Sequence, residues 1–170
     1  MDILAHPSRS NAVLYGPNGV GKTMLCKNLV HQAVMAGYTG RFLTASDMLR
    51  DLAEQPDART RYKRVKHYTE PDVLGLDEVG YLSYDNRYTD LLYEVLNARY
   101  QHKSTVITTN RKFEQWPEVF PNAVSVVTLI DRVTHHAEIV RFVADSYRLK
   151  EATEQRRQRA EARAKRAVKP

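Results

Sequence analysis

Gly16-Pro17-Asn18-Gly19-Val20-Gly21-Lys22-Thr23 carries the spacing G-x-x-x-x-G-K-[ST] of a phosphate-binding P-loop. Such a loop wraps a polyphosphate with backbone N–H groups, an approach that side chains would block. Gly16, Gly19 and Gly21 leave the backbone bare and permit the positive φ that the wrap needs. Lys22 then supplies a point charge for the β- and γ-phosphates, and the Thr23 hydroxyl a Mg2+ ligand. Flanking sequence supports the match. Asn11-Ala12-Val13-Leu14-Tyr15 is an apolar run fit for a buried strand; Met24, Leu25, Leu29, Val30, Ala33 and Val34 recur at helical spacing up to a stop at Gly37. Strand, loop and helix in that order put the anion at a helix N-terminus, where free N–H groups and the dipole favour negative charge. The implied ligand is a nucleoside triphosphate, ATP or GTP.

Further strands and helices alternate downstream. Strands are expected over 41–44, 73–76, 105–109 and 138–142, the fourth rich in β-branched residues. Ser46 is the expected N-cap of a short helix over 47–54, closed off by Pro56. Helices are also expected over 85–101 and 124–136, and the basic stretch from Arg59 to Lys66 reads as exposed helix. This alternation predicts an α/β fold, a parallel sheet covered by helices on both faces. One domain accounts for residues 1–149.

The third strand runs into Asp77-Glu78, the Walker B arrangement. Asp77 would hold Mg2+, directly or through water, and Glu78 would polarise the attacking water. Asn110 ends the fourth strand, and ligands bind outside the carboxyl ends of parallel strands. It either orients the lytic water or is simply a turn residue. Arg132 has arginine-finger chemistry, stabilising transition-state charge on a neighbouring subunit's nucleotide, but any surface arginine reads the same way. His135 and His136 are adjacent on a helix and share no face, so no transition metal is assigned.

The net charge of +6 is unevenly placed: Lys150 to Pro170 holds eight basic and three acidic residues, a net +5. This segment reads as a frayed, solvated helix that either binds polyanions or solubilises the chain. A single cysteine, Cys26, excludes an internal disulfide and reads as a small buried thiol in a reducing compartment. No apolar run approaches the ~20 residues of a membrane span, and no signal peptide is readable. A cytoplasmic protein is expected.

Several segments together resemble the IstB-type ATP-binding proteins, helper ATPases of insertion-sequence transposons in the AAA+ clade of DnaC-type helicase loaders. They are GPNGVGKT (16–23), FLTASDMLRDL (42–52), LDEVGYLSYDNR (76–87), RYQHKSTVITTNRKFEQWPEVFPNA (99–123), DRVTHHAEIV (131–140) and SYRLKEA (146–152). The resemblance implies ATP with Mg2+, Asn110 at the sensor-1 position and Arg132 in the arginine-finger block. It also implies ATP-dependent oligomers on DNA that assist a transposase, with Arg59–Lys66 either facing DNA or forming a solvated face.

Three departures stand out. Only fifteen residues precede the P-loop, where similar proteins carry an N-terminal helical region, so a fragmentary member is expected. Gly75 replaces a branched apolar residue and should weaken its strand by up to ~1 kcal/mol. After Arg132 there is no room for a full helical lid with its sensor-2 arginine. Besides the transposition ATPase, two readings stay open: a DnaC-like helicase loader, and a non-catalytic remnant that binds ATP only. A P-loop kinase lacks support, since neither acceptor-site residues nor an arginine-bearing lid is readable.

Overall fold

The apolar run before the glycine loop forms β1 (Asn11–Tyr15), flanked by β4 (Ser104–Thr109) and β5 (Ala137–Arg141). With β2 (Gly40–Thr44) and β3 (Val73–Asp77) they make a five-stranded sheet ordered β2-β3-β4-β1-β5, every pairing parallel. The structure is a computed structural model and describes residues 10–81, 83–121 and 123–167. Because β1 and β4 are neighbours, Leu14 lies opposite Thr108 and Tyr15 opposite Thr109. Likewise β3 lies beside β4, with Leu76 opposite Ile107. The carboxyl ends of β1, β3 and β4 therefore converge at one edge, where the P-loop leaves β1.

Alternation along the strands divides the core. Ala12, Leu14, Val73 and Val106 face α1 (Lys22–Met35), which buries Cys26, Leu29, Val30 and Ala33 against them. Val13, Leu74, Leu76 and Ile107 face the opposite layer: α2 (Ala45–Ala53), α3 (Ala58–Thr69), α4 (Asn86–Arg99) and α5 (Ala123–Thr134). Both sheet faces are covered, as the alternation predicts. The apolar stripe of α1 is narrower than the sequence reading, however: Met24 is 73% and Val34 47% exposed.

Local chemistry sets the helix starts. Thr44, still extended at the end of β2, accepts from Asp47 N (3.1 Å) and donates to Asp47 Oδ2 (2.7 Å). It therefore caps α2 two residues ahead of the expected Ser46. Asp57 and Thr60 form a capping box on α3, and Asp85 caps α4 through Tyr88 N at 2.7 Å. A short 3-10 helix over Phe113–Glu118, not expected from the sequence, buries Trp116. The last helix, α6 (Tyr147–Ala167), is exposed over residues 147–159. Among the described residues no helix is long and apolar enough to cross a membrane.

Gly75 has a packing role beside its strand cost. A Cβ there would lie 2.9 Å from Cys26 Sγ, 2.9 Å from Val30 Cγ2 and 3.1 Å from Phe42 Cδ2. The missing side chain lets α1 sit close on β3, where the side chains of Cys26, Val30 and Phe42 leave little room for a Cβ. Arg99, fully buried, fastens the opposite layer. Its guanidinium donates to the carbonyls of Pro71 (2.8 Å), Tyr68 (3.1 Å), Thr69 (3.2 Å) and Ser104, and to Thr105 Oγ1 (3.0 Å). Burial pulls its pKa down to about 9, opposed by the Asp72 carboxylate.

Candidate nucleotide site

The P-loop spans from Tyr15 to the start of α1 and forms one wall of a cavity of about 570 Å3. Gly16, Gly19 and Gly21 take positive φ values of 153°, 80° and 96°, as the sequence spacing requires. Two of them are also hemmed in by the chain beyond β5. A Cβ at Gly16 would lie 2.6 Å from Phe142 O, and one at Gly19 would lie 2.2 Å from Ser146 Oγ. Lys22 donates to Gly16 O (2.8 Å) and Pro17 O (2.7 Å), which holds its ammonium inside the loop. Its pKa is lowered by burial; Asp77 and Glu78 oppose the shift and Arg148 adds to it.

Across the cavity stands the end of β3. Asp77 is buried, and its Oδ1 accepts from Thr23 Oγ1 at 3.1 Å and from the Thr108 hydroxyl. Thr23 and Asp77 thus form an oxygen donor pair beside the phosphate loop, which suits a hard cation such as Mg2+ once phosphate oxygens and water join it. Glu78 follows with φ 62° and lines the cavity. Its N–H donates to Thr108 Oγ1 (2.9 Å), and Val79 N to Thr108 O (2.9 Å). Asn110 also lines the cavity, and its buried Oδ1 has no hydrogen-bond partner. A buried acceptor left without a partner is open to a hydrogen bond from whatever occupies the cavity.

The remaining expected residues separate. Pro17 is exposed on the loop, and Asn18 and Val20 line the cavity. Arg132 does not line its own chain's cavity. It sits at the opposite end of the sheet, beside Asn11 and Arg99, half-buried over the rings of Tyr100 (5.0 Å) and Tyr93 (5.6 Å). Cys26 is buried as expected, and burial pushes its thiol pKa up to about 12, which makes it inert.

Arg148 is a residue that sequence reasoning misses. No lid follows β5 among the described residues, yet Tyr147 N donates to Gly19 O (3.0 Å) and Arg148 enters the cavity from the first turn of α6. An arginine therefore reaches the site without the lid thought necessary to carry it. Tyr81 and Thr108 are missed as well. Arg148 and Thr108 owe their place to chain crossings that no local periodicity encodes, whereas Tyr81 follows Glu78 by three residues and donates its N–H to Glu78 O (3.3 Å). The positions of Tyr81 after Glu78 and of Thr108 two residues before Asn110 are the signals the sequence offers.

The family profile described as IstB-like ATP binding protein matches residues 6–155. The chain belongs to that family. Among its relatives, the ATP-binding protein named for insertion sequence IS232 of Bacillus thuringiensis subsp. berliner is 36% identical over 143 residues, 84% of this chain and 57% of that protein. The one named for IS21 of Pseudomonas aeruginosa is 35% identical over 149 residues, 87% of this chain and 56% of that protein. This IstB-like chain thus spans little more than half the length of those relatives. Its fold is the P-loop core of the AAA+ class. DnaI superposes with a TM-score of 0.72 at 18% identity, over 83% of this chain and 79% of that one. AMPPCP-bound DnaA from Aquifex aeolicus gives 0.66 at 23% identity, over 86% and 45%.

Proposed function

We propose that this IstB-like chain binds ATP with Mg2+, hydrolyses it, and serves DNA transposition by assembling with its own copies on DNA and assisting a transposase. The observation that carries the hydrolytic reading is the Walker pair in place: Asp77 Oδ1 at 3.1 Å from Thr23 Oγ1, with Glu78 next in the chain at the cavity wall. Family membership supports ATP as the nucleotide, and the insertion-sequence relatives support the transposition setting.

In this reading Lys22 exchanges its bonds to Gly16 O and Pro17 O for the β- and γ-phosphates. Thr23 and Asp77 would hold Mg2+, which when bound would offset the charge of the phosphates. Glu78 takes the proton of the attacking water, Asn110 Oδ1 orients that water, and Arg148 meets the charge growing on the γ-phosphate. Arg132 would complete a neighbour's site, and to do so it must turn out of its stack on Tyr93 and Tyr100. The ATPase unit is residues 1–149, with 150–170 a basic arm.

DNA contact falls to that arm and to the exposed side of α3. There Arg59, Lys63 and Lys66 are exposed, while Arg64 is tied to Asp51 at 2.5 Å. Substituting Lys22→Ala is expected to abolish ATP binding, read as the anisotropy of a fluorescent ATP analogue. Retained affinity would remove the P-loop from the mechanism.

A further inference from the structure

Thr108 stands at the centre of the hydrogen bonds around the carboxylates, and nothing in the P-loop or Walker B pattern assigns it a role. It is buried near the carboxyl end of β4, beside Leu14 of β1. Its hydroxyl donates to Asp77 Oδ1 and accepts from Glu78 N (2.9 Å), while its carbonyl accepts from Val79 N (2.9 Å). A hydroxyl has one proton to give and lone pairs to receive, so this single group meets both demands at once. Valine has the same shape but can meet neither.

Two features depend on those bonds. The first is the direction of the Asp77 carboxylate: Oδ1 is shared between Thr23 and Thr108. When a cation draws Thr23 away, Thr108 is the donor that remains on that oxygen. The second is the left-handed turn at Glu78, φ 62°, which a residue with a Cβ adopts only when its surroundings impose it. The bonds from Glu78 N and Val79 N to Thr108 impose it here.

We infer that Thr108 is a positioning residue, its hydroxyl aiming the Asp77 carboxylate at the cation and fixing the turn that presents Glu78 to the attacking water. The inference rests on the hydrolytic reading above for its second half only. Thr108 lines the cavity, but its hydroxyl is committed to Asp77 Oδ1 and Glu78 N rather than to a ligand, so nucleotide affinity without metal should depend on it little.

The test compares Thr108→Val and Thr108→Ser with the unaltered chain in two measurements. The first is affinity for a fluorescent ATP analogue, in EDTA and in Mg2+; the second is steady-state ATP turnover. Thr108→Val should bind as the unaltered chain does in EDTA, lose at least fivefold of the affinity that Mg2+ adds, and show kcat reduced at least tenfold. Thr108→Ser should restore both. An unchanged Mg2+ increment in Thr108→Val would overturn the inference. So would failure of Thr108→Ser to rescue, because that assigns the effect to the lost methyl group. If the unaltered chain has no turnover, the hydrolytic reading fails by itself and the Mg2+ increment still decides for or against Thr108.

Discussion

At Glu78 the backbone adopts φ 62°, a left-handed conformation that costs a residue with a Cβ about 1–2 kcal/mol. That strain sits one residue after the buried Asp77 carboxylate and opposite a lysine whose pKa burial has lowered. Strain, buried charge and an unpaired Asn110 Oδ1 gather around one cavity, where a fold would otherwise have relaxed each of them. Other charges are structural. Asp72 accepts from Lys103 Nζ (2.6 Å), Thr39 Oγ1 (2.7 Å) and Thr39 N (2.9 Å), tying the turns before β2 and β4 together. The Lys103 and Thr39 bonds hold its carboxyl well below the usual carboxylate range. A pKa lower in the folded state than in the unfolded one adds stability that is complete above about pH 4 and is lost as the pH falls toward the lowered value. Asp72→Asn should therefore be less stable than the unaltered chain at pH 7 and lose less on acidification below about pH 4. Urea titrations across that range check it; parallel losses in both proteins would contradict the assignment.

Among the elements, α1 is the one whose seat matters most to the site, since it carries Lys22 and Thr23 and must approach β3 closely. Gly75 permits that approach. Gly75→Val, which the strand's composition alone would make favourable, should instead destabilise by about 1–3 kcal/mol, as overpacking does. Adding Val30→Ala should recover part of the loss, because Val30 Cγ2 is one of the atoms the new side chain meets. Denaturant unfolding of the two single variants and the double variant measures this coupling; strict additivity would mean that the clash is elsewhere. What is legible in the sequence follows the same division. The strands, the glycine loop and the paired carboxylates are local patterns, and each is found where its residues predict. The cap at Thr44 is missed because a strand's last residue is not read as the next helix's cap. Thr108 and Arg148 are missed for a deeper reason. Thr108 meets Asp77 across 31 residues of chain, and Arg148 reaches the cavity only because Phe142–Tyr147 crosses the P-loop.

For the whole molecule, the cavity and Arg132 lie at opposite ends of the sheet. In one chain they cannot serve the same nucleotide, so the proposed finger role of Arg132 requires a second copy. Arg132→Ala should lower turnover at least tenfold, and mixing it with Glu78→Gln subunits should restore part of it, since mixed neighbours rebuild intact sites. Absence of rescue at every mixing ratio would place Arg132 outside any shared site and leave it as packing for Tyr93 and Tyr100. The basic α6 starts on the P-loop, with Tyr147 N bonded to Gly19 O, so nucleotide and arm share a support. Hydrolysis through Asp77 and Glu78 is decided by phosphate release from ATP, with and without duplex DNA, in the unaltered chain and in Glu78→Gln. DNA-stimulated release is expected from the first, and from the second at least a hundredfold less release with ATP affinity intact. Equal release from both proteins, or none from the unaltered chain while it binds ATP, would contradict it.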